Sequence, residues 1–326
     1  MKIAMYGSGA AGSVFASYLR KGGAEIALID RYKAHMDKVA RDGMKFTIHL
    51  KENGEYRDIT QQLTGFEAYT DPADCGVVDI IIFMTKATQL GQAIEDAKPC
   101  IGPDTVLVSL INCLGNDDEL TKKYPKERCV IGSGVLGTAL TAPGECVSTP
   151  AGGVQMNFGG IARSALSDNA CLYMEKCFRD GGCDAYWRRD DIYYYVWKKV
   201  IVNTAENAVC AALRLKICHV AEDEFGYQLF DQVVHESAAV ARARGVNIDA
   251  DEFMQNDFKD VITNMGDYYP SMCQDLLMHK RQTEIALLNG KIVEYGEALG
   301  VPTPTNKVLT QIISCIQNNY DNQYKD

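Results

Sequence analysis

Lys2 to Tyr6 is an apolar run, Gly7-Ser8-Gly9-Ala10-Ala11-Gly12 follows at once, a helical pattern continues to about Lys21, and Glu25 to Asp30 is apolar again. Strand, glycine turn, helix and strand in that order is the opening of a βαβ unit that binds a dinucleotide. Each glycine has its own task. Gly7 lets the chain turn tightly off the strand, Gly9 lets a pyrophosphate approach the backbone, and Gly12 lets the helix pack closely on the sheet. The N–H groups of the loop, with Ser8, Ala10 and Ala11 between the glycines, and the positive end of the helix dipole then hold the phosphates. A bland tight turn would account for the glycines alone, but not for the apolar strand before them and the amphipathic helix after.

The second strand ends in Asp30-Arg31, where the adenosine ribose is expected. An acidic side chain there accepts hydrogen bonds from the ribose 2′-OH and favours NAD, whereas a nearby arginine accommodates the 2′-phosphate of NADP. The two residues pull in opposite directions. A helix runs on to about Arg41, and Lys45–Leu50 then opens a hairpin around Asn53-Gly54. Val77 to Met84 is a β-branched run without alternation, as in a strand buried on both faces of a parallel sheet. Lys86 stands just beyond its carboxyl end, and Asn112 just beyond that of the next buried strand, Thr105 to Ile111. Open α/β sheets bind ligands along that edge. Val130–Gly137, Glu145–Ser148 and Val154–Phe158 read as later strands, the last ones antiparallel; helix Ser164–Asp180 follows, and Asp184–Arg188 reads as an edge strand.

A chain of 326 residues is longer than one core usually supports, so two domains are expected, 1–190 and 191–326. From Asp191 the pattern turns helical: Tyr193–Ala212, Phe225–Arg244, Phe253–Asn264, Gln274–Leu299 and Asn306–Asp326. The substrate cleft is expected between this helical domain and the nucleotide edge of the sheet. The formal charge of −10 argues against a general nucleic-acid binder. With no charged leader, no apolar h-region and no run long enough to span a bilayer, a cytosolic protein is expected. Twelve cysteines form no C-x-x-C pair and five histidines no H-x-x-x-H pair, so neither a metal site nor a disulfide framework is expected. Exposed parts of the C-terminal helices are where two chains would pair as a homodimer, which periodicity alone does not establish.

Lys199, Asn203 and Asn207 recur at i, i+4 and i+8, one line on a helix where their neighbours Val196, Val200, Val202 and Val209 are apolar. An unpartnered amide costs roughly 1–3 kcal/mol when buried and an ammonium more, so the line should face partners or a wet cleft. A solvent-facing stripe would show the same pattern. Ser271 reads as the N-cap of a helix with Gln274 completing a capping box, and such an N-terminus is also a carboxylate site. Glu284, beside Ile285, Leu287 and Leu288, is either a surface charge or a buried acceptor.

MYGSGAAG, FMTKATQ, LINCLG, VWKKVIVNTAEN and SMCQDLL…TEIALLNG, in this order and spacing, resemble the ketopantoate reductase family over residues 1 to about 305. The resemblance implies an α/β fold with an N-terminal Rossmann-type doubly wound sheet, followed by an all-helical C-terminal domain like that of 6-phosphogluconate dehydrogenase. It implies reduction of a 2-keto acid by NADP(H) or NAD(H). Lys199 resembles the general acid of the family; Asn203 and Asn207 its substrate-orienting asparagines; Ser271 its carboxylate contact; and Glu284 its glutamate, which binds the substrate hydroxyl and is linked to the lysine. Lys86 and Asn112 are similar to family positions near cofactor and cleft. Three features depart from the pattern. Cys113 replaces a glycine, the interval from Ser271 to Glu284 is one residue longer, and Asp30 accompanies Arg31. An NADH-dependent D-2-hydroxyacid dehydrogenase on the same scaffold and a non-catalytic nucleotide sensor are the rival readings.

Overall fold

The computed structural model describes residues 1–52, 55–150 and 155–323. The chain divides into two compact units, one of residues 1–112 and 116–192, the other of residues from 193 on together with 113–115. The first unit carries twelve strands among the described residues: β1 (Lys2–Tyr6), β2 (Glu25–Ile29), β3 (Met44–Glu52), β4 (Glu55–Leu63), β5 (Phe66–Tyr69), β6 (Val78–Phe83), β7 (Ile101–Ser109), β8 (Cys129–Gly134), β9 (Leu136–Ala142), β10 (Glu145–Pro150), β11 (Met156–Gly160) and β12 (Ala185–Trp187). Its helices are α1 (Ala10–Lys21), α2 (Lys33–Asp42), α3 (Leu90–Asp96), α4 (Asn116–Thr121) and α5 (Ala165–Asp180).

Eight strands form one sheet in the order β12-β11-β8-β7-β6-β1-β2-β5. From β5 to β8 neighbouring strands are parallel, and β11 reverses direction against β8. Counted without the β3–β4 insertion, the parallel part has the strand order 3-2-1-4-5-6 of a doubly wound dinucleotide-binding sheet, with its topological switch between β1 and β6. Ile80, Ile81 and Ile82 are fully buried, as the unbroken apolar run requires of a central parallel strand. Each contributes roughly 1.5–3 kcal/mol.

A second, four-stranded sheet, in the order β4-β3-β10-β9, goes beyond the sequence reading. The apolar stretch read as one strand from Val130 to Gly137 leaves the large sheet after Gly134 and enters the small one at Leu136. The Asn53-Gly54 turn, and Val154 of the strand expected at Val154–Phe158, lie outside the described residues. The small sheet explains why α1 buries every residue from Gly12 to Leu19: it is covered on more than one side. Tyr18 packs edge-on to Phe46 of β3 at 4.9 Å and its hydroxyl meets Ser148 Oγ of β10 at 2.9 Å, while Phe15 packs against Phe178 of α5.

The second unit is helical among its described residues: α6 (Ile192–Leu213), α7 (Ile217–Glu222), α8 (Glu224–Ala243), α9 (Ala250–Phe253), α10 (Lys259–Met265), α11 (Ser271–Cys273), α12 (Asn289–Leu299) and α13 (Pro304–Gln317). Val200, Ile201, Ala205, Ala208 and Val209 of α6 are buried with Phe230, Val233 and Val234 of α8 in one core. Two expected helices are interrupted. Phe253–Asn264 contains a π-helical segment, Met254–Phe258, and Gln274–Leu299 is π-helical to His279 and then broken by Lys280, which adopts the left-handed conformation (φ +48°). Among the described residues no helix is long and apolar enough to cross a membrane.

His35 of α2 ties the small sheet to the opening loop. Its Nδ1 accepts the Gly144 N–H at 2.8 Å, so Nε2 carries the proton and faces Ser13 Oγ at 3.0 Å, and the Ser13 hydroxyl donates to the Ser8 carbonyl at 2.8 Å. Burial holds the imidazole below its ordinary 6.5, with the Asp30 charge opposing. As pH falls through that value the unfolded chain binds a proton that the folded chain resists, so stability is lost below it. Thermal denaturation from about pH 8 to pH 5 should show the midpoint falling below about pH 6.5, less steeply in His35→Asn, which retains an acceptor for Gly144. A fall as steep in the variant as in the native chain would contradict this account.

Candidate functional site

In the first unit the three glycines of the opening loop meet different surroundings. Gly7 has φ +91°, and a Cβ on it would lie 2.8 Å from the backbone at Met84 and Thr85, beyond β6. Gly12 would bring a Cβ to 2.1 Å from the Gly7 carbonyl oxygen. Gly9 would meet nothing within 4 Å. The protein therefore needs Gly7 and Gly12 for its own packing, whereas the open side at Gly9 is the approach a pyrophosphate requires. No side chain caps α1, and no acidic residue stands in its first turn, so its dipole end remains available to an anion. Ser8 is turned into the protein, its hydroxyl donating to the Met5 carbonyl at 3.1 Å, while Ala10 and Ala11 are half-buried in the first turn. This donor set and cradle fit a dinucleotide.

Asp30 and Arg31 line a pocket of about 620 Å³ with Tyr6, Gly7 and residues that follow β5 and β6. Lys86 is exposed, outside that pocket, and has no hydrogen-bond partner for its amine among the described residues. Asn112 is committed differently from the expectation of a ligand contact: its Nδ2 donates to the Gly134 carbonyl at 2.9 Å and its Oδ1 accepts the Gly134 N–H at 3.0 Å. It thus ties the chain beyond the end of β7 to the last residue of β8, while Cys113 next to it is buried.

In the second unit α6 presents Lys199 and Asn203 half-buried and Asn207 buried. Neither the Lys199 amine nor the Asn203 amide has a hydrogen-bond partner among the described residues, whereas neighbouring Lys198 is ion-paired with Asp257. Asn207 Oδ1 accepts the Ser271 hydroxyl at 3.2 Å and the Met272 N–H at 3.0 Å. Asn207 and Ser271 are therefore brought together, and the expected capping box is not formed. Pro270 holds the N-cap position, Ser271 is the first helical residue, and the Gln274 amide turns to the Tyr268 hydroxyl and the Tyr269 carbonyl. A side chain from a distant helix satisfies the orphan N–H that a local cap would have taken.

Glu284 is exposed and precedes a short 3₁₀ turn, Ile285–Leu287, rather than lying within a helix. The longer interval from Ser271 has a physical location: it contains the π-helical segment Gln274–His279, the form a helix takes around an inserted residue, and the non-helical stretch after it.

Two features escaped the sequence reading. Glu206, one residue before Asn207, is buried; burial raises its carboxyl pKa, Lys199 opposes the rise, and its Oε2 has no partner among the described residues. Its place seven residues after Lys199 was a signal. Glu236 caps α13 by accepting the N–H groups of Thr305 and Asn306, and the chain continues through Asn306 to Asn289 and the Thr204 carbonyl of α6. Those partners are too far apart in sequence for any pattern to join them. No group of three or more His, Cys, Asp or Glu among the described residues is placed to hold a metal ion.

Residues 3–162 match the family described as ketopantoate reductase PanE/ApbA, and residues 191–317 its C-terminal domain. A 2-dehydropantoate 2-reductase of Lactococcus lactis is 30% identical over 316 residues, covering 96% of this chain and 97% of the relative. The ternary structure of a D-mandelate dehydrogenase with NADH and anilino(oxo)acetate is 27% identical, with a TM-score of 0.82 over 99% of this chain and 100% of that one. A PanE/ApbA family ketopantoate reductase from Ralstonia eutropha JMP134 is 25% identical, with a TM-score of 0.80 over 98% of this chain and 100% of that one.

The glycine geometry separates two substitutions that look alike. Gly9→Ala should fold with near-native stability and bind a dinucleotide more weakly, whereas Gly7→Ala should lose stability by about 1 kcal/mol or more from its positive φ and close backbone contacts. Urea denaturation with dinucleotide titration reads both. Asn207→Ala leaves the Met272 N–H without its acceptor and should cost about 1–3 kcal/mol, more than Ser271→Ala, in the same measurement.

Proposed function

We propose a function on one premise: the chain belongs to the ketopantoate reductase family. It is a nicotinamide-dependent oxidoreductase with 2-dehydropantoate 2-reductase-like activity. The reaction we assign to it is reduction of a 2-keto acid to the 2-hydroxy acid, with 2-dehydropantoate, giving pantoate, as substrate. The observation that carries this reading is the pair Lys199 and Asn203 on α6, half-buried polar side chains that no described residue hydrogen-bonds, next to the joined Asn207 and Ser271.

The turn from Gly7 to Gly12, with the N-terminus of α1, holds the pyrophosphate, and Asp30 and Arg31 meet the adenosine ribose. The nicotinamide, when bound, supplies the hydride to C2 of the keto acid. Lys199, as an ammonium, donates its proton to the oxygen that becomes an alkoxide as C2 is reduced. Asn203 offers an amide N–H to that oxygen and orients it. The Ser271 hydroxyl turns from Asn207 to the substrate carboxylate, while Asn207 keeps the helix start in place through Met272. Glu284, exposed and outside any helix, accepts from the substrate hydroxyl. Asn112 acts by fixing the backbone at Gly134, and Lys86 adds positive charge at the carboxyl end of β6.

A second reading is an NADH-dependent D-2-hydroxyacid dehydrogenase, which the likeness to D-mandelate dehydrogenase supports. Rates with 2-dehydropantoate and with branched and aromatic 2-keto acids separate the two. The first reading predicts the highest kcat/KM for 2-dehydropantoate, and an aromatic keto acid in first place would replace it with the second. Lys199→Ala should lower kcat by about 10²–10⁴-fold while leaving cofactor affinity largely intact. Normal turnover in that variant would remove the mechanism.

A further inference from the structure

The pocket at the carboxyl ends of β1, β2, β5 and β6 is lined by three carboxylates, Asp30, Asp71 and Asp96, and one basic side chain, Arg31. That arginine is already engaged. Its Nη2 donates to Asp96 Oδ2 at 2.9 Å, across the pocket from the end of β2 to the end of α3. Asp96 is fixed in turn: Gln92 Nε2 donates to its Oδ1 at 2.7 Å, and the Tyr6 hydroxyl to its Oδ2 at 3.4 Å. Burial and the Asp96 charge push the Tyr6 phenol up to about 12, so it remains a donor. Asp30 accepts the Tyr32 N–H at 2.9 Å with Oδ1, and its Oδ2 has no hydrogen bond to any described residue.

A ribose diol and a ribose 2′-phosphate make opposite demands on such a wall. The diol donates, and a carboxylate oxygen without a partner is its natural acceptor. A phosphate monoester carries roughly two negative charges near neutral pH and needs a cation with free N–H groups. Here the cation is shared with a carboxylate, and two further carboxylates face the same space. The Arg31 side chain is 85% exposed, so the ion pair by itself is a weak restraint; the repulsion from the acidic wall adds to it.

We propose that Asp96 is a specificity-determining residue that, together with Asp30, makes this chain select NADH over NADPH by holding Arg31 away from a 2′-phosphate. The proposal rests on the reading that this pocket takes the adenosine half of the cofactor. Direct binding of NADH and NADPH to the full chain, followed by the change in dinucleotide fluorescence at low salt, tests it without turnover. The native chain should bind NADH at least about tenfold more tightly than NADPH. Asp96→Asn should tighten NADPH about fivefold with a smaller change for NADH, and adding Arg31→Ala should cancel that gain. Asp30→Ser, which leaves the Arg31–Asp96 pair in place, should weaken NADH. NADPH bound as tightly as NADH by the native chain, or an unchanged preference in Asp96→Asn, overturns the proposal and leaves the dinucleotide reading standing. A folded chain that binds neither dinucleotide overturns both.

Discussion

A Cβ on Gly12 would stand 2.1 Å from the Gly7 carbonyl oxygen, so α1 can start where it does only because residue 12 is glycine. The consequences run outward from that contact. It sets the depth at which α1 lies on the sheet, and with it the packing of Phe15 on Phe178 and of Tyr18 on Phe46. It also leaves the N–H groups at the start of α1 uncapped at the carboxyl edge of β1, beside the topological switch between β1 and β6. The hydrogen bonds from Gly144 to His35, from His35 to Ser13 and from Ser13 to Ser8 then brace the loop from behind.

The second unit is organised around α6 in a comparable way. Its apolar residues supply the centre of a helical core, and its polar line divides into two parts with different fates. Asn207 is consumed by structure, since its carbonyl oxygen satisfies the first turn that begins at Ser271. Lys199 and Asn203 are not consumed: they are half-buried, and no described residue hydrogen-bonds their side chains. Polar side chains without partners among the buried Val196, Val200, Val202 and Val209 are costly to keep unless something else uses them. That is why these two residues, rather than the whole stripe, carry the functional reading.

Much of the first unit was legible because its signals are local. The strand β1, the glycine turn, α1 and β2 are contiguous, and β6 and β7 announce themselves as unbroken apolar runs. The small sheet was not legible, because β3 and β10 pair in parallel although about a hundred residues separate them, and a strand pattern does not name its partner. In the second unit the helices α6 and α8 follow from periodicity and α13 does in its start, ending at Gln317 short of the expected Asp326, whereas α7 is a single short helix and the π-helical segments differ from α-helix by too little for a pattern to reveal. The capping box at Ser271 and Gln274 was a sound local inference overruled by a partner 64 residues away. Asp30 and Arg31 were visible as a conflict, but only the position of Asp96 in space shows which charge on that wall remains free.

The central claim is that the glycine loop and Lys199 serve one reaction, direct hydride transfer from a bound nicotinamide to C2 of a 2-keto acid. Cofactor deuterated at C4 of the nicotinamide, on each face in turn, tests it most directly, with the 2-hydroxy acid product examined by mass spectrometry and proton NMR. The account predicts that one of the two labelled cofactors delivers a single deuterium to C2 and the other delivers none. Product without deuterium from either cofactor, or no product from any 2-keto acid with a dinucleotide-bound chain, would contradict it.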